Sequence, residues 1–200
     1  MYNDEFKEYC EEFLVNRYKS PDEYIYDMTD ISFDGKVCAF TGHRPSKMPF
    51  FYGDSDSRCL ALRAAMARKI HLAINLGYTD FITGMALGVD QWAAITVIMA
   101  KKSYPHVKLH AALPYLNQTS RWYGWQKDLY DDILRFADKV YVTSRDQTKN
   151  APIIRNAFMI KHADLLIAVC DGTAGGTTST VRMAEKKGID RVIINPRDFI

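Results

Sequence analysis

The chain has 200 residues, 48% hydrophobic and 25% charged, with a formal net charge of +2. That suffices for one compact α/β domain with a full core and an appendage, and the longest apolar run, 92–100, is far below the roughly 20 residues that cross a bilayer. The start Met1-Tyr2-Asn3-Asp4-Glu5 is acidic rather than basic and then apolar, so no signal peptide is read and a cytoplasmic, membrane-free protein is expected.

Residues 4–18 place Phe6, Tyr9, Cys10, Phe13 and Leu14 at helical spacing, with Asn3 or Asp4 available as a cap. Ser20-Pro21-Asp22-Glu23 then has the form of a capping box with proline at the first helical position, predicting a second short helix. These two elements make residues 1–35 an acidic helical extension, whose apolar stripe packs either on the body or on a second subunit. The extension holds 10 acidic and 3 basic side chains, which leaves the body, 36–200, about +9. A basic body attracts anionic partners. The same asymmetry suggests that the leader covers the basic mouth of an empty site or mediates dimer contacts.

From Lys36 onward strands and helices alternate, the pattern of a parallel sheet with helices on both faces. Strands are predicted at 37–41, 80–83, 107–113, 139–143, 165–170 and 191–194, and helices at 57–76, 90–102, 119–136, 152–162 and 177–187. The fold class is therefore α/β, a Rossmann-like three-layer fold with a mostly parallel sheet of about six strands and a helical amino-terminal extension. Gly77 and Gly188 stand where helices end in the left-handed region. Leu62, Met66, Ile70 and Ala73 form one inward face, and Trp122, Trp125, Leu129, Ile133 and Phe136 another.

Loops after parallel strands meet at one edge of the sheet, where backbone amides and helix amino-termini suit an anion. In the first, Thr41-Gly42-His43-Arg44-Pro45, glycine permits close backbone approach, His43 and Arg44 supply cationic donors, and Pro45 holds Arg44 extended. The second, from Gly84 through Gly88 to Asp90, places a carboxylate at a helix start. Asp90 there is a helix cap, an acceptor for ribose hydroxyls, or both. Asp171, Gly172, Gly175, Gly176, Thr177 and Thr178 follow the fifth strand and offer free amides and hydroxyls. Arg155 and Asn156 open one face of the helix before it, as phosphate ligands or as surface residues.

Several chemistries lack their residues. No GxGxxG follows a strand, and neither GxxxxGK[ST] nor GxSxG occurs. The four cysteines are scattered without CxxC spacing and the histidines show no ligand spacing, so no metal and no cofactor are expected.

Residues from about Lys36 to the end resemble the SLOG superfamily, the Rossmann-like group joining DNA-processing protein A with the Lonely Guy phosphoribohydrolases, and within it the YpsA-like family. The resemblance rests on Val37 through Pro45, Gly84 through Trp92, Ala112-Leu113-Pro114-Tyr115, Arg155-Asn156, and Leu166 through Gly172 with Gly175-Gly176-Thr177. It implies a pocket for a nucleotide or nucleotide-derived ligand, serving as substrate, signal or single-stranded DNA. Phosphoribohydrolases of the Lonely Guy type use PGGxGTxxE and an upstream arginine; Arg155 matches the arginine, but the glutamate position holds Thr180.

The resulting expectation is a protein that senses or sequesters a nucleotide. Phosphate would sit at Gly42–Arg44 and Gly175–Thr178, ribose near Asp90, and a base against Phe51, Tyr52 or Tyr115. Two alternatives stand beside it. One is glycosidic cleavage of a nucleotide, with Asp90 or Asp171 as the carboxylate. The other is single-stranded DNA binding, with Phe50, Phe51, Tyr52, Trp122, Tyr123 and Trp125 available for stacking. A homo-oligomer is included among the expected partners.

Overall fold

The structure, a computed structural model, describes residues 4–13 and 19–200. Strands β1 (Lys36–Gly42), β2 (Tyr78–Thr83), β3 (Lys108–Leu113), β4 (Lys139–Val142), β5 (Leu165–Val169) and β6 (Asp190–Ile194) form one sheet in the order β4-β3-β2-β1-β5-β6. Every pairing is parallel. Helices α2 (Ser57–Asn75), α3 (Val89–Ala100) and α4 (Gly124–Phe136) follow β1, β2 and β3, while α5 (Ala151–His162) and α6 (Gly176–Lys187) precede β5 and β6.

The handedness of parallel crossovers assigns the faces. The chain steps from β1 to β4 in one direction, so α2, α3 and α4 share a face. It then returns to β5 on the far side of β1, so α5 and α6 take the other. Side chains alternate accordingly: Phe40, Phe81, Leu109 and Ile167 pack under the first group, and Ala39, Ile82, Tyr141 and Leu166 under the second. The predicted face Leu62, Met66, Ile70 and Ala73 is buried, as are Leu129 and Ile133, whereas Trp125 is 47% exposed. The predicted helix at 119–136 starts later, at Gly124, because Tyr123 is extended and its N–H is taken by the Gln126 carboxamide at 3.0 Å. That late start leaves Trp125 in the first turn, beyond the core.

The second face has one helix fewer. Residues 24–33 fill the place over β3 and β4, with Ile25, Met28, Ile31 and Phe33 against the core. This explains why the predicted second helix is only the 3₁₀ turn Pro21–Glu23. Its capping box forms, with Ser20 N–H donating to Glu23 Oε1 at 3.0 Å, but Tyr24 is already extended. Ile25 then joins the edge of β4 through Ile25 N–H to Val140 O and Val142 N–H to Ile25 O, both 2.8 Å.

The first predicted helix is α1 (Asp4–Phe13). Its predicted continuation over 14–18, the Phe13 side chain and the Asn3 cap lie outside the described residues. Phe6 and Cys10 are buried, Tyr9 stacks on Phe136 at 5.3 Å, and Lys102 sits 4.4 Å over the Tyr9 ring. Because Phe136 and Lys102 mark the carboxyl ends of α4 and α3, α1 packs on the body at the amino edge of the sheet. The described leader therefore does not cover the mouth at the opposite edge, where its negative charge suggested a lid.

Phe33 also meets His110 edge-on at 4.9 Å and His162 at 5.5 Å. Burial, then Lys161 and Lys187, lowers the His162 pKa. A histidine depressed in the folded state contributes full stability above its unfolded pKa of about 6.5, and that contribution is lost as pH falls below it. The urea midpoint should therefore fall between neutral pH and pH ~5.5, and His162→Phe, which keeps the aromatic packing, should reduce this fall. An unchanged slope in the variant would remove His162 from the account.

Candidate functional site

The strand order reverses between β1 and β5, and the chain leaves these neighbours toward opposite faces. A crevice must open at their carboxyl ends, the place where such sheets take ligands. The structure has a cleft of about 170 Å³ there, lined by Thr41, Gly42, His43 and Arg44 after β1, by Asp90, by Arg155 and Asn156 of α5, and by Gly175, Gly176 and Thr177. Ser46, Lys47, Ala86, Pro152 and Thr173 complete it.

Its floor is built around a nearly buried pair, His43 Nε2 and Asp171 Oδ1, 2.9 Å apart. The Asp171 backbone N–H stands 3.3 Å from the same ring nitrogen. Asp171 also accepts from Thr173 N (3.1 Å), Thr173 Oγ1 (2.7 Å) and Arg197 Nε (3.0 Å). The Thr173 hydroxyl, with this network, holds the Asp171 carboxyl far below the ordinary range. Asp171 is thus committed to shaping the loop, with Gly172 in the left-handed region at φ 82°. Thr178 serves the same loop, donating to Thr173 O at 2.5 Å. None of Asp171, Gly172 and Thr178 lines the cleft.

The side wall is a second buried pair. Arg155 Nη1 donates to Gly84 O and stands 3.8 Å from Asp90 Oδ2, which accepts from Ala86 N at 3.2 Å. Asp90 therefore ties down its own loop, while Gly88 caps α3 without a side-chain bond. Burial raises the Asp90 pKa and lowers that of Arg155, and each group partly offsets the shift of the other. Arg155 Nε donates to Asn156 Oδ1 (2.7 Å), Asn156 Nδ2 to Thr180 Oγ1 (2.8 Å), and Thr180 Oγ1 to Gly176 O (2.9 Å). This chain links the buried arginine to the first residue of α6.

The mouth is cationic. Arg44 is exposed, with no hydrogen bond or ion pair on its guanidinium among the described residues, and Lys47 Nζ reaches Ala174 O at 3.4 Å. Helix α6 has Gly175 as its N-cap and no capping side chain, so its first-turn amides end at the cleft with the positive end of the helix dipole. Asp90 is the one carboxylate in the lining among the described residues.

The glycines divide by role. A Cβ on Gly42 would stand 2.4 Å from Val89 Cβ, and one on Gly84 1.9 Å from Arg155 Nη1; Gly88 has φ 101° and would meet His43 O at 2.8 Å. These three let loops pack on one another, and Gly84 and Gly88 do not line the cleft. Gly176, by contrast, has nothing within 4 Å of its Cβ direction.

The three aromatic residues expected near a base stand apart from the lining. Tyr52 lies flat on Trp92 at 4.6 Å and 8° in a neighbouring hollow of about 30 Å³. Tyr115 accepts from Gln147 at 3.4 Å, and Phe51 is 66% exposed. The cation that sequence reasoning missed, Lys47, is carried into the mouth by the 3₁₀ turn Pro45–Lys47, signalled only by Pro45 after Arg44.

The sequence model of YpsA, the YspA SLOG family, matches residues 38–194. The chain belongs to this family. UPF0398 proteins of Bacillus thuringiensis (strain Al Hakam) and Bacillus cereus (strain B4264) are each 32% identical over 157 residues, covering 76% of this chain and 84% of theirs. Among solved structures, DNA processing protein A from Helicobacter pylori superposes with a TM-score of 0.53 at 16% identity, over 82% of this chain and 70% of that one. The Streptococcus pneumoniae protein gives 0.52 at 19% identity, over 96% and 66%. At these identities the likeness is one of fold. The family match bears out the SLOG resemblance, and the structural likeness bears out the Rossmann-like three-layer architecture, here with all six strands parallel.

The glycine geometry separates packing from lining. Gly42→Ala should cost about 1–3 kcal/mol in urea unfolding, by overpacking against Val89. Gly176→Ala should stay within about 0.5 kcal/mol of wild type. Equal costs at the two sites would contradict this division.

Proposed function

We propose that the YpsA-family cleft binds a nucleotide or nucleotide-derived small molecule through its phosphate, as a sensing or sequestering protein. The observation that carries this reading is the convergence of two cationic features on one hollow: the amino-terminus of α6, without a capping side chain, and the guanidinium of Arg44, unpaired among the described residues. Phosphate answers both. Asp90 Oδ1 has no protein donor among the described residues, and ribose hydroxyls are the groups that suit it. A cleft of about 170 Å³ encloses only part of a nucleotide, so the base extends beyond the lining. Of the three aromatic candidates for a base, Phe51 offers the most open ring; Tyr52 is already stacked.

Two other readings make different demands. Glycosidic cleavage needs a carboxylate at the ribose. The position three residues after Thr177 is Thr180, fully buried and bonded to Asn156, while Asp90 is engaged with Arg155 and Ala86. This arrangement favours holding a ligand over cleaving it. Single-stranded DNA binding draws on the exposed rings of Phe51, Tyr123 and Trp125, and on the fold shared with the Helicobacter pylori protein, whose structure was reported for its single-stranded DNA binding mode.

Thermal unfolding in the presence of mononucleotides, dinucleotides, cyclic nucleotides and ADP-ribose tests the proposal. A ligand that binds only the native state raises stability by about 2.7 kcal/mol at a hundred times its Kd. Arg44→Ala should abolish the shift while leaving the unliganded protein as stable as wild type. A full shift in the variant would refute the assignment. If instead only oligonucleotides bind, with affinity falling on salt by a log–log slope of about −0.7 per phosphate, the DNA reading replaces this one.

A further inference from the structure

The two edges of the sheet are treated differently. At β4 one residue, Ile25, takes up the outward Val140 O and Val142 N–H, whereas among the described residues β6 pairs with β5 alone. An open edge carries unpaired N–H and C=O groups that accept another strand. Which groups these are follows from one bond: Cys170 N–H donates to Ile194 O at 3.0 Å. In a parallel ladder a residue that bonds a neighbour does so with both its groups, and alternate residues face alternate sides. With the register Val169↔Ile194, residues Asp190, Val192 and Ile194 face β5. Arg191 and Ile193 therefore direct their N–H and C=O groups outward.

The side chains agree with this placement. Arg191 pairs with Glu185 of α6 at 3.1 Å on one face, while Val192 packs into the core on the α2 face. Ile193 is 48% exposed, and Leu72 on α2 and Leu76 at its C-cap are exposed on the helix packed beside β6.

We propose that β6 pairs antiparallel with β6 of a second copy of this chain, across a two-fold axis at Val192. In that register Arg191 of one copy and Ile193 of the other exchange N–H···O bonds in both directions, and symmetry repeats the exchange, giving four bonds. An axis at Arg191 sets two like charges opposite each other. An axis at Ile193 requires Asn195, whose carbonyl already accepts from Asp198 N–H at 3.1 Å. Only the axis at Val192 uses every outward group of the strand. The contact is isologous, so it closes at a dimer rather than growing into a filament, and Ile25 already occupies the middle of the β4 edge. It stands independently of the ligand proposed for the cleft.

Sedimentation equilibrium across a concentration series reads the mass, and the wild type should reach a dimer. Ile193→Pro should be monomeric with unchanged circular dichroism, because the Ile193 N–H serves no bond among the described residues of its own chain. Val192→Cys supplies a second test. Opposed residues of a non-hydrogen-bonded antiparallel pair have Cα atoms about 4.5 Å apart, within disulfide reach, so mild oxidation should crosslink the variant into a covalent dimer. The native cysteines are buried and free and should not crosslink. A wild type that is monomeric throughout, a dimer that survives Ile193→Pro, or a Val192→Cys chain that stays uncrosslinked would each overturn the proposal. Binding of β6 to a foreign strand would appear as the first of these.

Discussion

The pairing of β1 with β5 is the contact on which the carboxyl edge depends. Gly42 lies opposite Val169, and His43 N–H continues the ladder to Val169 O at 3.3 Å, so the two strands stay side by side until their ends. Their chains then leave for opposite faces. No short connector can bridge the gap this opens, and its walls come from residues far apart in sequence: His43 meets Asp171, Gly84 meets Arg155, and Asn156 meets Thr180. Because adjoining loops approach closely, side chains are excluded at Gly42 and Gly88, where Val89 and the His43 carbonyl already occupy the space.

Two carboxylates stand beside the cleft, and the charge of each is met within the fold. Asp171 is surrounded by donors from Thr173, His43 and Arg197, which spend its charge on the loop. Asp90 faces Arg155 in a buried pair, and a buried pair loses its balance when either partner goes. What remains unanswered at the mouth is positive: Arg44, Lys47 and the first turn of α6. The hydrogen-bonded floor and the exposed Arg44 differ in this respect, since among the described residues no hydrogen bond or ion pair engages the Arg44 guanidinium.

Much of this architecture was legible in residue order because alternation of strand and helix, glycine at helix ends and capping boxes are local signals. Gly77 and Gly188 do adopt positive φ, and the Ser20–Glu23 box forms. The parts that escaped were decided by tertiary contacts. Residues 24–33 carry no strong pattern, yet the second face of the sheet lacks a helix over β3 and β4 and recruits them, which ends the predicted helix after one turn. Trp125 shares the helical spacing of Leu129 and Ile133, but a helix that starts at Gly124 leaves it above the core. Tyr52 has the chemistry to meet a base and spends its face on Trp92. In the candidate site, His43, Arg44 and Gly175–Thr177 could be named from loop position and Arg155 from its helix face, whereas the division between residues that line the cleft and residues that build it, such as Asp171 and Thr178, depends on hydrogen-bond partners that sequence does not display.

The central claim is that first-turn amides of α6 and the Arg44 side chain face one ligand phosphate. Amide and guanidinium resonances in ¹H–¹⁵N spectra, followed while a nucleoside monophosphate is titrated, test it most directly. The account predicts that Gly175, Gly176, Thr177 and Arg44 Nε shift together with one common Kd. Saturable binding that leaves those four signals unmoved would contradict it.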